Sequence, residues 1–384
     1  MPALEKINNL GKGRARILFA PLDWGLGHTT RCLPIIKAFQ SEGADITIAC
    51  NEKQAVLLEA ELEAVRFLPL RGYGLRYSRS KYLTWLTIAL QIPKILTSIN
   101  RERKWLASIF ETEGFDAVIS DNRYGLHHPS LYSIFISHQL RVRVPFSNRI
   151  ENLLQKWNYN FIQQFNECWI PDFEGAINLA GVLSHPNRLP AVKLKYIGAV
   201  SRFKKMMNHS EEPNVLVILI SGPEPQRTIF EKIVLSELNG CNEAAVVLRG
   251  LPATTATLPS TGKVTFFNHL HSSQLSELIN RATYIVARSG YSTIMDIVAL
   301  QKKSILIPTP GQTEQEYLGT WLMEHKFCLS IEQNKFSLKN ALRQANQFEY
   351  ADLSKFPTDQ YENAVISFMQ EHFKETIEPD VSKI

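Results

Sequence analysis

The stretch Ile17-Leu18-Phe19-Ala20 leads within a few residues into Gly25-Leu26-Gly27-His28-Thr29-Thr30-Arg31. Far along the chain, Tyr284-Ile285-Val286-Ala287 leads directly into Arg288-Ser289-Gly290-Tyr291-Ser292-Thr293. Each reads as a buried strand handing over to a helix. A helix start leaves its first N–H groups unpaired and presents the positive end of the helix dipole, so it attracts an anion. One such turn carries little weight. Two of them, one in each half, predict two facing nucleotide-binding-like domains with a phosphorylated ligand in the cleft between.

The surrounding pattern agrees. Short runs rich in Ile, Val and Phe at 16–20, 45–50, 116–120 and 133–136 read as strands, with amphipathic stretches near 29–42, 52–63 and 83–110 between them. Val215–Ile220 opens a second series that continues at 245–248, 264–267, 284–287 and 304–307, with helical patterns near 224–238, 272–281, 291–300 and 314–325. Continuous apolar strands separated by helix-length segments imply parallel sheets covered on both faces. The expected fold class is therefore α/β, two doubly wound Rossmann-like domains facing a central cleft. The polar stretch 201–213 is the expected linker between a first domain at 14–200 and a second at 214–355. A last segment, 356–384, carries a helical pattern near 359–373 that is expected to pack back on the first domain.

Composition narrows the class of protein. The 384 residues are 45% hydrophobic and 21% charged, as in an ordinary globular chain. Cys32, Cys50, Cys168, Cys241 and Cys328 are odd in number and scattered, which argues against a disulfide framework and a structural zinc site. The beginning of the chain does not read as a signal peptide, and no run of about 18 apolar residues occurs to span a bilayer. A cytoplasmic protein is expected. The net charge of +5 is modest and no nucleic-acid motif accompanies it, so no nucleic-acid partner is expected.

The turns carry the chemistry. Gly25-x-Gly27-His28 is not the dinucleotide fingerprint, because Thr30 stands at the third glycine position, and an NAD or FAD site is rejected. His28 is expected to face the cleft between Gly27 and Arg31; with an ordinary pKa of about 6.5 it suits proton abstraction near neutrality. Asp116-Ala117-Val118-Ile119-Ser120-Asp121 reads as a strand whose last residue could hold the His28 tautomer. The plainer alternative has Asp121 capping its own loop beside Asn122 and Arg123. On the donor side, Ser221 and Gly222 offer backbone amides and Arg227 a forked cation for phosphate, as do Arg288, Ser289, Gly290, Tyr291 and Thr293 after the later strand. Asp296 lies within reach of ribose hydroxyls if a helix begins near Tyr291, unless it is a solvated carboxylate. Gln315 and Glu316, in the loop Pro308–Tyr317, could meet sugar hydroxyls, unless this is only a surface loop.

In order, these features resemble the C-terminal domain of family 28 glycosyltransferases, the bacterial cell-wall N-acetylglucosaminyltransferase group, over roughly 214–330. They are the Ser-Gly-x-x-x-x-Arg turn, the Arg-Ser-Gly-x-x-Thr-x-x-acid segment, the Pro-x-Pro loop and Gln315-Glu316-Tyr317. The first half resembles the same two-domain GT-B fold through its Gly-His-x-x-Arg turn. The resemblance implies that Asp296, in place of the commoner Glu, holds the nucleotide ribose. It also implies that Gln315-Glu316 meets the donor sugar, with Gly319 where an asparagine usually follows. His28 and Asp121 look like the His–Asp dyad of sugar transferases. No Asp-x-Asp occurs, so no metal and no cofactor are expected. The implied activity is an inverting transfer from a nucleoside-diphosphate sugar, uridine-linked and carrying a hexosamine or hexose, to a hydroxyl of a lipid-linked or saccharide acceptor. The alternatives are a nucleotide-sugar hydrolase of the same fold and a non-catalytic sugar-nucleotide-binding subunit. Segment 71–104 interleaves eight cations with aromatic and aliphatic residues against the single acid Glu102. It is expected to lie on an anionic membrane surface, placing the protein peripherally on the inner face of the cytoplasmic membrane, with Pro93 kinking or dividing its helix.

Overall fold

In the computed structural model, which describes residues 14–24, 26–74, 90–144, 147–206, 215–239, 243–252 and 254–373, the apolar runs form two parallel sheets. The first contains β1 (Arg16–Pro21), β2 (Asp45–Cys50), β3 (Arg66–Pro69), β4 (Ala117–Asp121), β5 (Tyr132–Ile136), β6 (Glu167–Ile170) and β7 (Lys193–Tyr196). Their order is β3-β2-β1-β4-β5-β6-β7. The second contains β8 (Val215–Leu219), β9 (Ala244–Leu248), β10 (Val264–Phe267), β11 (Tyr284–Ala287), β12 (Ser304–Leu306) and β13 (Leu329–Ser330), in the order β10-β9-β8-β11-β12-β13. All pairings are parallel, and the strand order of each sheet reverses once, between β1 and β4 and between β8 and β11. Doubly wound sheets bind ligands outside the carboxyl ends of their strands at such points.

Register brings the predicted turns together. Pro21 pairs with Asp121, so β4 ends beside the exit of β1. Ala287 pairs with Leu219 on one side and Leu306 on the other, so the turns after β8, β11 and β12 leave the same edge. The strands are buried because both faces are covered. Ile17 and Phe19 join one apolar cluster, and Leu18 and Ala20 another, as a two-residue period requires. The helix α1 (Leu26–Ser41) covers the first face with Leu33, Ile36 and Phe39. On that side α2 (Glu52–Glu59) starts at Asn51 with a reciprocal cap to Gln54. The second face is covered through Leu106 of α3 (Ile92–Glu113).

Short segments escaped the sequence pattern: β3, β6, β7, β13, α4 (Asn148–Ile162) and α9 (Leu338–Gln347). Charged residues interrupt β6 and β7, yet Glu167 is buried because Trp169 Nε1 and Lys193 Nζ both donate to it. Within the helix read at 83–110, Leu90 is helical, Gln91 makes a turn and α3 begins at Ile92, with Pro93 in its first turn, where a missing N–H costs nothing. Residues 83–89, the 207–213 part of the expected linker, Gly25 and Cys241 lie outside the described residues. The four described cysteines are buried and free.

In the second half, α5 (Gln226–Leu238), α6 (Ser272–Arg281), α7 (Tyr291–Ala299) and α8 (Thr313–Glu324) follow the predicted segments, and α10 (Gln360–His372) ends the described chain. The halves meet where α1 packs on α7. Phe368 of α10 stands edge-on to Phe39 and Trp169 at 5.9 and 6.0 Å, so this helix lies against the first sheet.

Candidate active site

His28 occupies the first turn of α1, and its Nδ1 lies 3.0 Å from Asp121 Oδ2. Asp121 is fully buried, whereas the His28 side chain keeps 17% of its surface open. A buried carboxylate next to a ring nitrogen fixes that nitrogen as the N–H, leaving Nε2 as the available base. Burial first, and then the Arg31 charge, pull His28 below its ordinary pKa against the opposing pull of Asp121.

Arg31 is not the loop residue expected from the sequence. It is buried and pairs with both oxygens of Asp121, Nε at 3.2 Å and Nη2 closer still. Burial would raise the Asp121 pKa, but the Arg31 and His28 contacts outweigh it and hold the carboxyl far below the usual range. Cys32 Sγ adds a 3.5 Å contact to Oδ2.

Across the cleft, Gly290 caps α7 with extended backbone, and a Cβ built on it would meet open space. The first intrahelical bond runs from Ile294 N to Gly290 O, so the N–H groups of Tyr291, Ser292 and Thr293 precede the ladder. The helix thus starts where the sequence placed it. Ser292 Oγ donates to Gly27 O at 3.0 Å, so the two predicted turns touch. A Cβ on Gly27 would lie 3.0 Å from the same Oγ, which keeps this contact close. Ser221 and Gly222 lie exposed after β8, with Gly222 at φ +109°. Ser289 is buried and donates to Gln315 O at 2.8 Å.

The side chains expected on the donor side are held by partners of their own in this structure. Arg227 is not free to clamp a phosphate: its nitrogens donate to Glu224, Glu231, Thr228 and Arg249 O. Arg288 is buried over the Phe230 ring and holds Ile307 O, Pro308 O, Gln226 O and Gln333, so it braces the loops beneath the site. Gln315 and Glu316 stiffen their own loop, accepting from Thr309 N and Gly311 N at 2.9 Å each. Gly319 has no room for a side chain, because a Cβ would meet Ser330 Oγ at 2.6 Å and Pro308 Cγ at 2.7 Å. Asp296 accepts from Ser201 Oγ at 2.6 Å, and burial pushes its pKa up to about 6.

Sequence reasoning missed His138 and Glu314. His138 stacks on Tyr291 at 4.0 Å, accepts from Arg31 at 3.3 Å, and meets Glu314 Oε1 at 2.8 Å. The signal was present: His138 follows β5 by two residues, at the same carboxyl edge as Asp121, and Glu314 immediately precedes Gln315. Among the described residues, no group of His, Cys, Asp and Glu side chains is arranged to hold a metal ion.

Comparison with known proteins agrees with this architecture. Residues 253–371 match the glycosyltransferase family 28 C-terminal domain. Two curated relatives are named UDP-N-acetylglucosamine–N-acetylmuramyl-(pentapeptide) pyrophosphoryl-undecaprenol N-acetylglucosamine transferase. The one from Sulfurihydrogenibium sp. is 23% identical over 40% of this chain and 45% of its own. That from Buchnera aphidicola is 23% identical over 53% of this chain and 57% of its own. The matched part thus spans about half the length of these relatives. Among solved structures, Acinetobacter baumannii MurG superposes with a TM-score of 0.53 at 12% identity, covering 94% of this chain and all of that one. The glycosyltransferase of kitacinnamycin gives 0.60 at 12% identity, covering 94% and 96%. A putative UDP-N-acetylglucosamine 2-epimerase from Listeria monocytogenes gives 0.60 at 11%, covering 96% and 99%. The chain has the two-domain GT-B fold and resembles the family 28 glycosyltransferases, most clearly in its second half.

Proposed function

We propose that this protein is an inverting glycosyltransferase. It takes a sugar from a uridine-diphosphate donor and adds it to a hydroxyl of a lipid-linked acceptor, the chemistry named for both curated relatives. One observation carries the reading: an oriented base, His28 on Asp121 at 3.0 Å, sits against the open start of α7 through the Ser292–Gly27 bond. His28 Nε2 takes the acceptor proton as its oxygen attacks the anomeric carbon. The diphosphate leaves from the opposite face with the bonding electrons, and its growing charge meets the N–H groups of α7 and the Ser221-Gly222 turn. Donors aimed in advance at such charge supply a large share of catalysis. Because backbone amides do this work, turnover needs no divalent metal. Asp296 turns from Ser201 to the donor ribose.

The acceptor side favours a lipid surface. Around α3, Lys94, Arg101, Arg103 and Lys104 are exposed beside Leu90 and Leu96, while Glu102 is buried. Ile92 and Ile95 are half-buried and Ile99 fully, so that stripe belongs to the interior and the cations face outward. The rest of the basic stretch, 75–89, lies outside the described residues. The protein would work peripherally at the inner face of the cytoplasmic membrane.

The test is incubation of the full chain with labelled UDP-sugars and a bacterial lipid extract, with and without EDTA, followed by chromatography. A labelled lipid that requires His28 and resists EDTA supports the proposal. Free sugar in place of lipid product would make it a hydrolase, and UDP binding without any turnover a binding subunit.

A further inference from the structure

The five polar groups between the two sheets form one hydrogen-bond chain whose directions are fixed by chemistry. A guanidinium can only donate and a carboxylate can only accept. Arg31 Nη1 therefore donates to His138 Nδ1 at 3.3 Å, and His138 Nε2–H donates to Glu314 Oε1 at 2.8 Å. At the other end, Arg31 and His28 Nδ1–H both donate to Asp121. The chain reads His28, Asp121, Arg31, His138, Glu314, and its last link comes from α8 of the second half. His138 is held flat against Tyr291 of α7, whose hydroxyl donates to Pro171 O at 2.7 Å, so its ring has little freedom to turn.

We propose that Glu314 is a positioning residue for His28: through His138 and Arg31 it offsets the guanidinium charge and sets the strength of the base, so that the second half of the chain tunes a base carried by the first. The inference rests on the reading of His28 as base, but its test does not. Arg31 and, more weakly, His138 make His28 a weaker base, while the Glu314 carboxylate interacts with both the Arg31 and the His28 charges in the opposite sense. The charged and titratable groups facing this cluster are Asp121 from β4, Arg31 and Cys32 from α1, His138 after β5, and Glu314 from α8, with Asp172 near Tyr291. Glu314 has the Glu314–His138 bond as its main favourable contact: burial would push its pKa up, yet the bond and the His138 and His28 charges hold it down.

The experiment is an imidazole nitrogen NMR titration of the full chain labelled at histidine, comparing the parent with Glu314→Gln, His138→Phe and the pair combined. Glu314→Gln keeps a hydrogen-bonding group but removes the charge, and His138→Phe keeps the stacked ring but cuts the chain. Glu314→Gln should lower the proton affinity of His28 about threefold, the size of a screened charge effect at this range. His138→Phe also removes the His138 charge that itself weakens His28, and serves as the background in which Glu314→Gln should have no effect. The combined change should add nothing, since both act through one chain. Glu324→Gln, the same charge change at the exposed end of α8, should leave His28 unmoved. The proposal is overturned if Glu314→Gln leaves the His28 titration unchanged, if the two changes add, or if Glu324→Gln shifts it equally. All of these are read without turnover, so a failed transferase assay and a failed coupling stay separate.

Discussion

Replacing Asp121 by asparagine should cost stability as well as activity. The carboxylate accepts from His28 Nδ1 at 3.0 Å, Arg31 Nε at 3.2 Å, Arg31 Nη2 and Cys32 Sγ at 3.5 Å, with no surface open to water. An amide has one accepting oxygen, and its NH₂ would face the Arg31 donors. Arg31 is itself only 4% exposed, so its charge would be left buried without a partner. Breaking a buried pair in this way costs about 3–5 kcal/mol. Proton linkage gives a second signature. The Asp121 pKa is depressed in the fold, so its contribution is complete above the unfolded value of about 3.9 and is lost as pH falls below that. Urea denaturation followed by tryptophan fluorescence, at pH 7 and again below pH 4, measures both effects. The gap between parent and Asp121→Asn should be widest at neutral pH and narrow in acid. A variant within about 1 kcal/mol of the parent at pH 7, or a gap independent of pH, would refute the account of Asp121 as the shared anchor of His28 and Arg31.

His28→Ala should lower turnover by roughly 10²–10⁴-fold while calorimetry shows unchanged UDP affinity; full turnover at saturating acceptor would make His28 structural. Asp296 behaves in the opposite sense to Asp121. Its pKa is raised to about 6 by burial, so ionising it costs the folded state as pH rises from about 4 through 6. Asp296→Asn should therefore raise the melting temperature at pH 7 but not at pH 4, while weakening UDP binding; unchanged affinity would remove Asp296 from the ribose site. Vesicle co-sedimentation should show binding to anionic but not neutral lipid, weakened by high salt and by combined Lys94→Gln, Arg101→Gln and Lys104→Gln. Binding that ignores lipid charge, or none at all, would favour a soluble acceptor.

The sequence exposed the parts of the fold that repeat. Runs such as Ile17–Ala20 and Tyr284–Ala287 are apolar throughout because parallel strands are covered on both faces, and each precedes a glycine-bearing turn. The meeting of His28 and Asp121 was legible because β1 and β4 are neighbours and both residues stand at carboxyl ends. Short strands such as β6 were not legible, because Glu167 gains its place from Trp169, Lys193 and Tyr132, distant in sequence or invisible to the pattern. The internal partners of Arg227 and Arg288 were not legible for a similar reason. A guanidinium after a strand looks the same in sequence whether it faces a phosphate or satisfies carbonyls and carboxylates of its own chain, and Glu231 and Gln333 decide the matter in three dimensions. His138 and Glu314 belong to separate halves, and only the packing of the halves against each other brings them together.

The basic outer face of the first domain follows from where its acids go. Glu102 is the only acid in 71–104, and it is buried against Arg123, itself wholly enclosed, with Tyr73 Oη and Gly125 N donating to its second oxygen. Glu151, in the first turn of α4, is likewise buried and accepts from Arg141 and from Val144 N. Both helices border one small apolar cluster of Leu22, Tyr73 and Ile99, through Ile95 on α3 and Phe161 on α4. Two carboxylates that would otherwise balance the surface charge thus serve the interior, and Lys94, Arg101, Arg103 and Lys104 remain outside. Outward-facing cations each add about 1 kcal/mol of attraction near an anionic lipid surface. Buried pairs also keep the arrangement rigid, since removing either partner strands a charge away from water. The same interactions that hold α3 and α4 in place therefore leave the first half of α3 with an excess of exposed cations, as the membrane reading requires.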